Sequence, residues 1–185
     1  MKAWQHFKTI TKHRFLVGVG CFRVGLIWQG LTHDLSKYSI TEFRNGAKYY
    51  QGTRSPNAAE REDKGYSEAW MHHKGRNRHH YEYWTDMNLQ TRLYESMPMP
   101  RKYLVEMVMD RRAACMTYQG SAYTDGSAWT YFDRSKEKNL MHPQLRRELE
   151  YLLRMLRDEG EEKTFRYIRE VVLAGKPFPW EQETA

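Results

Sequence analysis

The chain has 185 residues, of which 40% are apolar and 29% charged; that suffices for one globular domain with a sizeable core and excludes a disordered chain. The net charge of +7 suggests an anionic partner such as a nucleotide, nucleic acid or membrane headgroup or, equally, no more than a surface rich in Lys and Arg, because the basic residues are scattered and form no block. No apolar run reaches the roughly 18 residues of a membrane span, and neither Cys21 nor Cys115 belongs to a Cys-x-x-Cys pair, which argues against a thiolate zinc site and for free thiols in a reducing cytoplasm.

Apolar residues recur every three or four positions from Phe7 through Ile10, Val17, Cys21 and Val24 to Trp28, predicting a long first helix over 4–28 with His13 on or near its apolar stripe. Gly18, Gly20 and Gly25 weaken that helix, and their expected use is the close approach of another helix. Lys8, Lys12 and Arg14 ahead of Phe15–Cys21 imitate an export signal. The apolar core is short, however, and Arg23 and Gly25 follow it at once, so an uncleaved cytoplasmic chain is expected.

Gly30 interrupts the apolar run just before His33-Asp34. Ser39 with Glu42 reads as a capping box opening a helix over 39–51. Residues 52–65, polar with Pro56 and two glycines, read as a surface loop. A short helix over 66–74, a turn at 75–77 and helical continuation over 78–90 would carry His72, His73, His79 and His80. Met97-Pro98-Met99-Pro100 connects to a strong helix over 101–118, with Asp110 in its middle, where an aspartate gains nothing from capping. After a turn-rich loop at 119–126 come a helix over 128–137 and one over 143–158, the latter opened by Pro143. A last helix spans 161–174, and a tail runs over 175–185. No alternating strand pattern or internal repeat is present. The expected fold is all-α, a single-domain helical bundle over 1–185.

His33 and Asp34 are adjacent, and adjacent residues on a regular helix point about 100° apart. At a helix end, where backbone angles relax, both can face one ion. Imidazole and carboxylate donors together suit Mn, Fe, Co, Ni or Zn better than Mg or Ca alone. His6 and His142 read as hydrogen-bonded core residues instead.

The order His13, His33-Asp34, His73, His79 or His80, Asp110 resembles the HD superfamily of metal-dependent phosphohydrolases. The wording His33-Asp34-Leu35-Ser36-Lys37 with Glu42-Phe43, then Asn77 to Trp84, and more loosely His142-Pro143, is similar to a narrower HDLSK-type family of small bacterial and phage proteins. The resemblance implies an HD-like bundle in which His13, His33, Asp34 and Asp110 hold one divalent transition-metal ion. His73 with His79 or His80 would serve a second ion bridged by Asp34. It also implies that Lys37, at the lysine of the HD-x-x-K variant, binds a substrate phosphate oxygen, and that Asp110 or a nearby histidine accepts the proton of the attacking water. His72, Asn77 and Glu82 are candidate substrate contacts. Trp70, Tyr81, Tyr83 and Trp84 are candidate stacking partners for a base.

The leading expectation is therefore a phosphohydrolase of a nucleotide or other small phosphoester. A di-iron oxygenase of HD type shares the same ligand order. A third alternative is a basic module that binds nucleic acid or protein around a structural metal. The anionic partner expected is a small substrate, with no membrane; nothing in the chain speaks to oligomeric state.

Overall fold

A computed structural model describes residues 1–182 and is all-α, with one small two-stranded sheet. The helices are α1 (Lys2–Arg23), α2 (Ile27–Thr32), α3 (Ile40–Lys48), α4 (Pro56–Lys64), α5 (Glu68–Lys74), α6 (Arg101–Gln119), α7 (Ser127–Asp133), α8 (Pro143–Tyr167) and α9 (Pro179–Gln182). Strands β1 (Thr85–Met87) and β2 (Tyr94–Ser96) pair antiparallel, with Asp86 opposite Glu95.

Helix α6 is the centre of the bundle. Every residue from Leu104 to Met109 is buried, as expected of a helix surrounded on all sides. Helices α1 and α8 pack against it, through Val17 and Cys21 on one side and Leu145, Leu149, Leu152 and Leu153 on the other. Gly20 on α1 lets Met109 approach, since a Cβ there would lie 2.8 Å from its Sδ. Phe165, Ile168, Val172 and Phe178 close the far end of the core, so the start of the expected tail is packed. The last three residues of that tail lie outside the described ones. No described helix is long and apolar enough to cross a membrane.

The structure departs from these expectations in several places. The first helix ends at Arg23, not at 28: Gly25 takes φ +86°, and Leu26 N–H donates back to the Cys21 carbonyl at 2.8 Å, a helix-ending pattern that needs a left-handed residue. Gly25 thus makes a corner, while Gly30 lies inside α2 against Phe22 and Cys21. The helix expected over 39–51 spans only Ile40–Lys48. Residues 52–65 are not a plain loop, because Ser55-Pro56 starts α4, with proline at its first position. Residues 78–90 are not helical. They hold a single 3₁₀ turn at Tyr81–Tyr83 and then β1. The strands were invisible because segments of three residues are too short to show hydrophobic alternation. The two helices expected over 143–158 and 161–174 join as one kinked rod. The kink is at Gly160, with φ 78° and ψ 176°, and the rod ends in a π-turn at Ile168–Val172.

Candidate metal centre

Five segments converge on one buried point. His13 is on the buried face of α1, between Ile10 and Val17. His33 terminates α2 with extended angles, and Asp34 follows in the left-handed region at φ 52°. That sharp corner turns both side chains inward. Arg14 fastens it from α1, donating to the His33 carbonyl at 2.7 Å and the Leu31 carbonyl at 3.0 Å. His73 comes from α5, His79 and His80 from the segment after it, and Asp110 from α6.

Asp34 is shared. Its Oδ2 lies 3.1 Å from His33 Nε2 and 3.6 Å from His13 Nε2, while Oδ1 lies 3.2 Å from His73 Nε2 and 3.5 Å from His79 Nε2. Asp110 Oδ1 is 3.0 Å from His13 Nε2, and its Oδ2 is 3.8 Å from His79 Nε2. Two donor groups result. His13, His33, Asp34 and Asp110 form one, and Asp34, His73, His79 and His80 the other, each with ligand atoms within 4.8 Å of one another.

The outward nitrogens of His33, His73 and His79 meet carboxylates. His33 Nδ1 and His79 Nδ1 lie 2.9 and 3.2 Å from the same oxygen of Glu106. His73 Nδ1 lies 2.8 Å from Glu42 Oε2, and His72 Nδ1 lies 2.7 Å from Glu42 Oε1. A carboxylate at Nδ1 takes the N–H and leaves the Nε2 lone pair free, the arrangement that orients metal-binding histidines. The Nε2 atoms of His13, His33, His79 and His80 and both oxygens of Asp34 are buried without a well-formed hydrogen bond. Buried polar atoms are normally satisfied, so so many inward-facing orphans fit a cation that the donors would share.

Electrostatics follow. Burial raises the Asp34 and Asp110 carboxyls, yet the surrounding histidines, with Lys37 for Asp34, hold both well below the usual range. Burial lowers His33, but Asp34, Glu106 and Asp110 raise it to about 9. His80 is lowered by burial and by His79 and His73, which keeps it neutral.

Lys37 Nζ sits 2.5 Å from Asp34 Oδ2 and lines a cleft of about 760 Å³ that opens over the centre. Glu82 lines it too. His72 and Asn77, expected to touch substrate, do not line the cleft. His72 faces Glu42, and the Asn77 amide donates to Ser36 Oγ and the His73 carbonyl. Of the aromatic set, Trp70 and Tyr81 line the cleft, whereas Tyr83 and Trp84 do not; Trp84 packs on Tyr103. His6 is buried and joins neither donor group, as expected, but its Nδ1 makes no hydrogen bond; the same holds for His142 Nδ1.

Sequence reasoning missed three contributors. Glu42 read as a capping residue, and Ser39 Oγ does accept its N–H at 3.4 Å, but its carboxylate serves histidines rather than the cap. Glu106 escaped notice. A signal existed: it is a charge within an apolar run, four residues before Asp110 and so on the same helical face. Arg14 was hidden because its role is to hold main-chain carbonyls.

A family model described as a family of unknown function (DUF5662) matches residues 2–155, so the chain belongs to that family. No curated protein and no solved structure matches it.

Proposed function

We propose that this member of the DUF5662 family is a metal-dependent phosphohydrolase acting on a nucleotide or another small phosphoester. The observation that carries the reading is the convergence of four buried His Nε2 atoms that make no well-formed hydrogen bond on the two oxygens of Asp34, under a cleft where Lys37 ion-pairs with Asp34 Oδ2. His13, His33, Asp34 and Asp110 would hold one ion and Asp34, His73, His79 and His80 a second, drawn from Mn, Fe, Co, Ni or Zn. Bound there, such ions supply Lewis-acid charge and make water a nucleophile at neutral pH.

The chain's own groups do the rest. Glu106 and Glu42 fix the tautomers of His33, His79 and His73. Lys37 binds a non-bridging phosphate oxygen and stabilises the charge that grows there in the transition state. Asp110, held ionised, accepts the proton of the attacking water. The buried floor of the cleft keeps these charges out of bulk solvent, where they act more strongly.

The test is phosphate release by protein reloaded with Mn, Co, Ni or Fe against nucleotides, cyclic dinucleotides and simple phosphomonoesters. Turnover is expected in at least one metal form and its loss in His33→Ala. Silence of every metal form against the whole panel defeats the reading. One observation favours a second reading: imidazoles outnumber carboxylates among the donors, a balance that also suits two irons of an HD-type oxygenase. Iron as the metal retained on purification, with substrate-dependent O₂ uptake and no phosphate release, selects that alternative.

A further inference from the structure

Arg111 follows Asp110 on α6 and lines the same cleft, in a stripe with Met107, Ala114, Cys115 and Tyr118. Its charge is unanswered. Among the described residues no carboxylate lies within 4.0 Å of its guanidinium, Nε is buried without a partner, and Nη2 reaches only the Met107 sulfur at 4.0 Å. The Phe132 ring, 5.5 Å away, gives it an apolar seat. The other arginines near the core differ. Arg112, the next residue, pairs with Glu161, Arg23 with Glu161 and Glu162, and Arg101 with Glu181. Glu82, on the same cleft, does not reach Arg111.

A cation partly withdrawn from water without a counter-charge is unfavourable by itself. A guanidinium presents a planar fork of donors that matches phosphate geometry. Lys37, by contrast, already faces Asp34.

We propose that Arg111 forms a second anion subsite in the cleft, taking a phosphate of the substrate other than the one at the His/Asp centre. This rests on the phosphohydrolase reading and sharpens it. The substrate class becomes a compound with two or more linked phosphates, a nucleoside polyphosphate or inorganic polyphosphate, rather than a phosphomonoester.

The probes are orthophosphate and pyrophosphate, titrated calorimetrically into Mn²⁺-loaded and chelator-treated protein. Arg111→Gln should weaken pyrophosphate binding by about tenfold or more and orthophosphate by less than about twofold, with Mn²⁺ affinity unchanged. Arg111→Lys, which keeps the charge but not the fork, should lose about threefold for pyrophosphate alone; it carries the test if Arg111→Gln does not fold. Equal pyrophosphate affinity in wild type and variants overturns the subsite. So does an equal loss for both probes, because Arg111 would then serve the single phosphate at the centre, and so does absence of pyrophosphate binding to wild type in both metal states. Pyrophosphate binding that needs Mn²⁺ but ignores Arg111 sinks the subsite and leaves the hydrolase reading standing. Binding that needs Arg111 but ignores Mn²⁺ does the reverse.

Discussion

One oxygen of Glu106 accepts the His33 Nδ1–H at 2.9 Å, and the same oxygen faces His79, so a single buried carboxylate aligns one imidazole from each donor group. Replacing it with an amide keeps the shape and removes the charge. Glu106→Gln is expected to weaken Mn²⁺ binding by about 10- to 100-fold without unfolding the protein. Competition with a calibrated chelator measures this; an unchanged affinity would mean that Glu106 fixes neither ring.

Acid should expel the metal, and the window is defined by His33. Its value of about 9 in the metal-free chain means that below about pH 9 an ion must displace a proton from it. Apparent affinity should climb by about tenfold per pH unit from neutrality towards 9 for the proton released from His33, and more steeply where His73, lowered by burial but raised further by Asp34 and Glu42, releases one too. The sign for stability is the opposite in metal-free protein. A folded value raised above the ordinary 6.5 gives a stabilisation fully present below 6.5 and lost as pH rises through 9. Titrations in buffers of different ionisation enthalpy count the protons, and metal-free melting curves from pH 6 to 9.5 read the second effect.

Gly46 on α3 is a contact point for α1. The His6 ring lies where a Cβ would stand, so a methyl group would overlap it. His6 also packs on Phe43 and Tyr50 and has little room to move. Gly46→Ala is expected to cost about 1–3 kcal/mol by overpacking, despite the better helix propensity of alanine. Urea unfolding monitored by tryptophan fluorescence gives the number, and a stabilised variant would contradict it.

The kink in α8 depends on Gly160, whose angles are nearly closed to residues with a side chain. It sets the direction of the segment carrying Glu161, which holds Arg112 and Arg23. Gly160→Ala should therefore lose about 1–3 kcal/mol, readable in thermal unfolding. Metal affinity should stay as it is, since no candidate ligand comes from α8.

The helical bundle was legible because α1, α6 and α8 carry long apolar periodicities that tertiary packing reinforces. The residues that meet at the centre were legible through the resemblance of their order, five histidines and two aspartates, to the HD pattern, because any one of these histidines alone reads equally well as a core residue. What stayed hidden had a physical cause in each case. Helix α4 is polar, so only Ser55-Pro56 announced it. The stretch after His80 has aromatics at helical spacing, but the 3₁₀ turn and the hairpin spend them differently, with Trp84 going to the core beside Tyr103. Glu42 satisfied a local capping pattern and so concealed a long-range duty. The distance between Arg111 and any carboxylate is a property of three dimensions alone.

Position 34 must satisfy two unrelated demands. Its backbone is left-handed, which among side-chain-bearing residues suits asparagine and aspartate best. Its two oxygens must carry charge toward opposite sets of imidazoles. Asparagine meets the first demand and fails the second; glutamate keeps the charge but is ill suited to the corner and longer by a methylene. If the proposed centre is right, this site therefore has no conservative neighbour among the twenty amino acids.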